Sequence, residues 1–404
     1  MGEKFFGKSP KTALLWPYFL VAGFLSFAIV LAGSSSTEIE DPVRENLLSV
    51  LEQFVDQGVE GIEVPGATAA VILSSDRAIE VAAGYSDLEL RRPMTTTSRM
   101  LAGSVGKTYV AALMMSMVVD GDISLDDKLI DILGDEAWYS RLPNAEQISI
   151  RNLLNHSTGL ARYIDTTEFS ELLITLEEHD ADHWVQPREL ISYILDEEPQ
   201  FPAGSGYKYS DTNYLLAGIA MEKVGGFRME HEIVRRFLYR LNLPFTGPQA
   251  GVLQAGLVQG YLPPGNRGLP PELPETMIVR GVLRWNPLSE WAGGGFISNS
   301  GELARWAKLL WSGEAMHGSY LDEMVGSINP ASTKDGTSYA LGVSIAYHPE
   351  WGTVYSHGGV YPGYGTYVVY LPEIDVAAAV QVNNSNSDIA RYIAEALISA
   401  VSGD

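Results

Sequence analysis

The sequence predicts an α+β fold: an antiparallel sheet drawn from both chain ends, flanking helices, and a mostly helical subdomain inserted over about 105–290. Three observations predict it. Strand-like runs at 67–73 and 78–83, joined by Ser74-Ser75-Asp76, read as a hairpin near the start. β-Rich runs return only late, at 339–346, 353–356, 366–371 and 376–382. The long stretch between them carries helical spacing and no internal repeat.

Taken in order, Lys4, Lys8 and Lys11 precede an uncharged, mostly apolar run at 13–32. Twenty residues at 1.5 Å each can cross a bilayer, so residues 1–34 read as a signal peptide or a single N-terminal membrane anchor. The basic flank predicts a cytoplasmic N-terminus, with everything after it exported to the periplasmic or extracellular face. Ala32-Gly33-Ser34 suits cleavage, while serine at the place a lipidated cysteine must hold excludes lipidation. Residues 35–43 are a polar linker, and 44–404 are read as one domain.

Within that domain, Leu47, Leu48, Leu51, Phe54 and Val55 give 43–58 helical spacing. Polar residues 92–99 follow the hairpin and lead to Ser104, where a helix is predicted to start, stopped by Asp120-Gly121. The segment 148–154 enters a turn-rich loop, Asn155-His156-Ser157-Thr158-Gly159-Leu160. Helical patterns follow near 166–178, 187–196 and, most clearly, 214–224 before Gly225-Gly226. Residues 245–290 are rich in proline and glycine without periodicity, which predicts a surface course. Segments 300–311 and 388–401 read as amphipathic helices.

With 404 residues, 46% apolar and 19% charged, the chain can bury a large core. A net charge of −23 argues against nucleic acid or an anionic membrane surface as partner of the folded part. The absence of cysteine excludes disulfides, thiolate metal sites and cysteine catalysis.

Three clusters carry chemistry. In Ala102-Gly103-Ser104-Val105-Gly106-Lys107, a hydroxyl and an ammonium stand three residues apart at a predicted helix start. Lysine can take the serine proton, and the helix N-terminus offers N–H groups to an oxyanion. From this cluster alone, a helix cap with a solvated lysine is the favoured reading. In Tyr207-Lys208-Tyr209-Ser210-Asp211, the Tyr209 phenol beside a lysine is expected to have a lowered pKa and to serve as base, then acid. Asp211 can accept from the lysine or from a substrate N–H. In His357-Gly358-Gly359-Val360, paired glycines admit a ligand to a strand, His357 can orient substrate or assist proton transfer, and the N–H after the glycines can complete an oxyanion hole.

Together, Ser-x-x-Lys, Tyr-x-Asp and His-x-Gly in this order resemble the serine β-lactamase-like and penicillin-binding superfamily. That group includes class C β-lactamases, D-alanyl-D-alanine carboxypeptidases, family VIII esterases and D-aminopeptidases. The stretches 148–160, Pro202-Ala203-Gly204 and Trp291-Ala292-Gly293-Gly294-Gly295 resemble it too, and the likeness runs over roughly 45–402. The resemblance implies that Ser104 is acylated, that Lys107 and Tyr209 share its proton, and that Asp211 assists. It implies that His357, Gly358 and Gly359 line the substrate strand, with the N–H groups of Ser104 and Val360 as oxyanion hole. Class C β-lactamases hold lysine where His357 stands and asparagine where Asp211 stands, so efficient β-lactam hydrolysis is not expected. The expected function is an exported serine hydrolase acting on ester or amide bonds of a small molecule or peptide, of peptidase, carboxypeptidase or esterase type. It needs no metal and no organic cofactor. The rival from another class is a non-catalytic surface binder or regulator of cell-wall peptides. An α/β-hydrolase elbow is excluded by the polar residues before Ser104. A zinc protease would need glutamate after His179, where Asp180 stands.

Overall fold

The structure is a computed structural model that describes residues 41–262, 276–279 and 281–402. The run at 13–32 and most of the linker lie outside the described residues, among which no helix is long and apolar enough to cross a membrane. The Asp41 carboxylate caps helix α1 (Pro42–Gln57) by accepting from Arg44 N–H, and Pro42 fits a first turn that needs no N–H partner. The predicted hairpin is β1 (Gly66–Ile72) and β2 (Ala78–Asp87), with β3 (Arg92–Pro93) at its edge.

The predicted helix at Ser104 is corrected. Gly103–Gly106 is a turn of 3₁₀ helix, and α2 (Lys107–Asp120) begins only at the lysine. Gly103 takes a positive φ of 52°, so the chain enters too tightly to start an α-helix at Ser104. α2 is buried on every side over Lys107–Met117, as an apolar helix must be, and ends on Gly121 at φ 80°. Two further helices of the inserted region are α3 (Thr167–His179) and α4 (Asp211–Gly225). The helix expected over 187–196 stops at Ser192, and Asp196 N–H turns away to Arg141 O at 2.9 Å.

Helix α5 (Ser300–Trp311) returns the chain to the sheet, which β4 (Asn329–Lys334), β5 (Thr337–Tyr339), β6 (Ser344–His348), β7 (Gly352–Tyr361), β8 (Tyr364–Leu371) and β9 (Val376–Val382) complete. The order is β3-β2-β1-β9-β8-β7-β6-β5-β4, antiparallel throughout. The two chain ends meet where Ala67 faces Val382 and Ile72 faces Ala377. The single strand expected over 339–346 is two, because the chain turns at Gly342 and Ala340 N–H bonds back to Val343 O.

Alternation sorts the central strands into two cores. Ala67, Ala69, Val71, Ala378 and Val380 face α1 and the closing helix α6 (Ser387–Ser402) through Leu47, Leu51, Ile393 and Leu397. Ala70, Ile72, Ala377 and Ala379 face the larger core that holds α2, α4 and α5. The surface course expected of 245–290 is corrected for its last part, where Met277, Leu283, Trp285 and Pro287 are buried; residues 263–275 and 280 lie outside the described residues. Strand pairing in this segment is limited, among the described residues, to short stretches at 247–248, 278–279 and 282–283, and side chains hold further backbone, as where Asn286 Nδ2 donates to Asp182 O at 2.9 Å.

Candidate active site

The Gly103–Gly106 turn lies against β7. A Cβ on Gly359 would collide with Ala102 O, and one on Gly103 would stand 2.7 Å from Val360 N. Only glycines allow the two backbones to come this close, and the approach sets Ser104 beside Val360. The 3₁₀ geometry nearly eclipses residues i and i+3, so Lys107 stands on the same face of the turn as Ser104. Ser104 is half-buried, whereas Lys107 is completely buried.

The Lys107 ammonium faces three acceptors, matching its three protons. They are Ser104 Oγ at 3.2 Å, Asp211 Oδ1 at 2.5 Å and the carbonyl of Gly293. Arg162 closes the other side of Asp211, with Nε at 3.1 Å and Nη2 at 2.8 Å from Oδ2. Burial pushes the Asp211 carboxyl up, but the Lys107 and Arg162 cations outweigh it and hold the group well below the usual carboxylate range. Asp211 therefore stays ionised between two cations. Its helix begins after Ser210, whose hydroxyl, rather than capping the helix, donates to Ala161 O at 2.9 Å.

The Tyr209 hydroxyl is buried and makes no hydrogen bond. Burial pushes its phenol well above the ordinary value and the Asp211 anion adds to this, against a smaller pull from the Ser104 hydroxyl. The lowered pKa expected from a neighbouring lysine is thus reversed. Lys107 Nζ lies over the ring, 5.0 Å from its centroid, and Asp211 neutralises its charge. In the resting protein Tyr209 is a neutral phenol and a proton donor.

His357 sits inside β7, and the structure occupies both its nitrogens. Nδ1 stands 2.7 Å from Gly358 O, a carbonyl that can only accept, so Nδ1 donates. Nε2 then accepts from Tyr339 O–H at 2.8 Å. Burial and, next, the Lys107 charge push the imidazole down to about 4, leaving it neutral. Both ring nitrogens are thus engaged within the protein, and the imidazole braces β7 against Tyr339. Gly358, Gly359 and Val360 continue that strand past the nucleophile turn, and Val360 is 46% exposed.

Three residues belong to the site that sequence reasoning missed. Arg162 stood two residues beyond a noted motif, and nothing local tied it to Asp211. His156 stood inside that motif; its ring packs 4.2 Å from that of Tyr209, and Nδ1 takes Ser210 N–H at 3.2 Å. Glu290 precedes the noted Trp291-Ala292-Gly293 run, inside the segment expected to lie on the surface. The two histidines weighed as metal ligands, His179 and His183, stand beside the exposed carboxylates of Glu178 and Asp180.

The arrangement is a hydroxyl on a tight turn, a buried lysine beneath it, a phenol whose ring faces the lysine, and a glycine-rich strand alongside. This places the protein among folds built around a Ser-x-x-Lys pair. The family model described as Beta-lactamase matches residues 51–401, and the chain belongs to that family. It is 24% identical over 328 residues to a D-aminopeptidase of Brucella anthropi, covering 78% of this chain and 55% of that protein. It is 26% identical over 339 residues to penicillin-binding protein 4 of Amycolatopsis lactamdurans, covering 79% of this chain and 81% of that one. The chain thus spans little more than half of the D-aminopeptidase. The solved D-amino acid amidase of Ochrobactrum anthropi, complexed with D-phenylalanine, superposes with a TM-score of 0.73 at 21% identity, over 90% of this chain and 99% of that one.

Proposed function

We propose that the protein is a serine hydrolase that cleaves amide or ester bonds through an acyl-enzyme. The observation that carries this is Ser104 Oγ held 3.2 Å from a buried lysine that is itself fixed by Asp211. Ser104 Oγ attacks the substrate carbonyl carbon, its proton passes to the Lys107–Tyr209 pair, and the N–H groups of Ser104 and Val360 receive the oxyanion. The neutral Tyr209 phenol, or the lysine behind it, then protonates the departing amine or alcohol. The C–N or C–O bond breaks, leaving the acyl group on Ser104. A water, losing its proton to the same pair, reverses the steps and releases the acid.

The pair accepts the serine proton in the form that has already given up one of its own. Neutral, fully bonded His357 supports an amidase, peptidase or esterase over an efficient β-lactamase, because β7 offers no cation to a β-lactam carboxylate. The basic flank before 13–32 supports export of the catalytic domain.

The test is intact mass after exposure to a fluorescent penicillin, with turnover of p-nitrophenyl acetate and butyrate in parallel. The expected result is an adduct, or ester turnover, that vanishes in Ser104→Ala. Tyr209→Phe should lose roughly a hundredfold or more in turnover while melting no lower, since it removes an unbonded hydroxyl. No Ser104-dependent reaction with penicillin, esters or a D-amino-acid peptide panel would leave the binding-module reading in its place.

A further inference from the structure

The site holds one carboxyl group that the acyl-transfer steps do not use. Glu290 lies across the Gly293–Gly295 turn from Lys107. A Cβ built on Gly294 would stand 2.6 Å from Gly103 O and 3.2 Å from Glu290 Oε1. The carboxyl therefore lies no farther from the residue preceding Ser104 than those two distances laid end to end.

Its hydrogen bonding is incomplete. Oε2 accepts from Gln249 Nε2 at 3.0 Å, while among the described residues Oε1 accepts no hydrogen bond and no cation pairs with the group. Glu290 keeps partial solvent contact. Two polar atoms close by are buried and unbonded, Gln249 Oε1 and the Tyr361 hydroxyl at the end of β7. The site's two cations, Lys107 and Arg162, are both held by Asp211. Among the described residues, a substrate carboxylate thus finds no free cation here, whereas an ammonium finds a free carboxyl.

We propose that Glu290 is a specificity-determining residue that binds a protonated amine a few bonds from the scissile carbonyl, such as the α-ammonium group of an amino-acid amide or ester. This rests on the acyl-enzyme reading and gives it a substrate class. The ammonium donates to Oε1, and Gln249 Oε1 is a second acceptor within the same cluster. Burial pushes the empty Glu290 carboxyl up to about 7. The titratable groups that face it are Lys107, Asp211, Tyr163, Tyr209 and Tyr361, and the three phenols are held neutral by burial. A bound ammonium favours the ionised carboxylate, so recognition strengthens as pH rises through about 7. It weakens again as the substrate amine loses its own proton near pH ~8.

The test compares kcat/KM for phenylalanine p-nitroanilide, in both enantiomers, with hydrocinnamoyl p-nitroanilide, which has the same acyl skeleton without the amine. Taking the ratio cancels any pH dependence of the acyl-transfer steps that the two substrates share. The full-length protein should prefer the amine-bearing substrate, with a ratio that is bell-shaped in pH. In Glu290→Gln the ratio should fall roughly tenfold to a hundredfold and lose its acid limb, while Glu290→Asp keeps part of the preference. An unchanged ratio in Glu290→Gln, or a wild-type ratio flat through neutrality, overturns the proposal and leaves the acyl-enzyme intact. The wild-type profile needs no variant to fold. Absence of any Ser104-dependent turnover overturns the acyl-enzyme reading and this inference with it.

Discussion

At the scale of the residue, the site turns on one carboxylate between two cations. Asp211 fixes Lys107 under Ser104, and its ionised form is strongly preferred in the folded protein. The unfolded chain binds that proton near pH ~3.9, whereas the native site resists it to lower pH. The group's contribution is therefore complete above about pH 4 and lost as pH falls toward the folded value. Asp211→Asn removes the proton uptake but leaves the fully buried Lys107 without an anion, while Arg162 keeps Asp165, at a cost of about 3–5 kcal/mol at neutral pH. Urea midpoints measured from about pH 3 to pH 7 should fall steeply on the acid side in the wild type and less so in the variant. Parallel curves would mean that Asp211 is not what acid unfolding protonates.

At the scale of the element, the nucleophile depends on a strand contributed by the other end of the chain. The Gly103–Gly106 turn and β7 touch through glycine backbone, so Gly359→Ala drives a Cβ into Ala102 O. The turn or the strand must shift by a few tenths of an ångström or more. The expected cost is about 1–3 kcal/mol in stability but roughly a hundredfold in kcat/KM for a neutral ester. An unchanged kcat/KM in Gly359→Ala would separate β7 from oxyanion stabilisation. The sequence made the elements legible where a period was clean: α5 matches its expected 300–311 span, and β1, β2, β8 and β9 stand where apolar runs stood. Ser104, Lys107, Tyr209 and Asp211 were legible as motifs, because short spacing fixes their order on a turn or helix start. What was not legible depends on long-range contact. The neutrality of His357 follows from its burial and from the Lys107 charge, and its Nε2 meets Tyr339 only after the chain turns at Gly342. Arg162 and Glu290 reach the site through loops whose conformations rest on side-chain hydrogen bonds, and such loops leave no periodic trace.

At the scale of the whole molecule, the 50 acidic residues against 27 basic ones set a field that bears on the same substrate choice. A net charge of −23 attracts an ammonium-bearing substrate from solution and repels one that ends in a carboxylate. Salt screens this field over about 10 Å at 0.1 M, while a contact inside the cleft is screened much less. The two scales are therefore separable in one experiment. Raising NaCl from about 0.02 M to about 0.5 M should lower the ratio of amine-bearing to des-amino kcat/KM by roughly two- to fivefold in the wild type. Glu290→Gln should start from a lower ratio at every salt concentration yet keep nearly the same slope, since it removes one of the 50 acidic side chains. If the variant instead loses the salt dependence altogether, the ammonium is selected by a single local charge and the acidic surface plays no part in bringing substrate to Ser104.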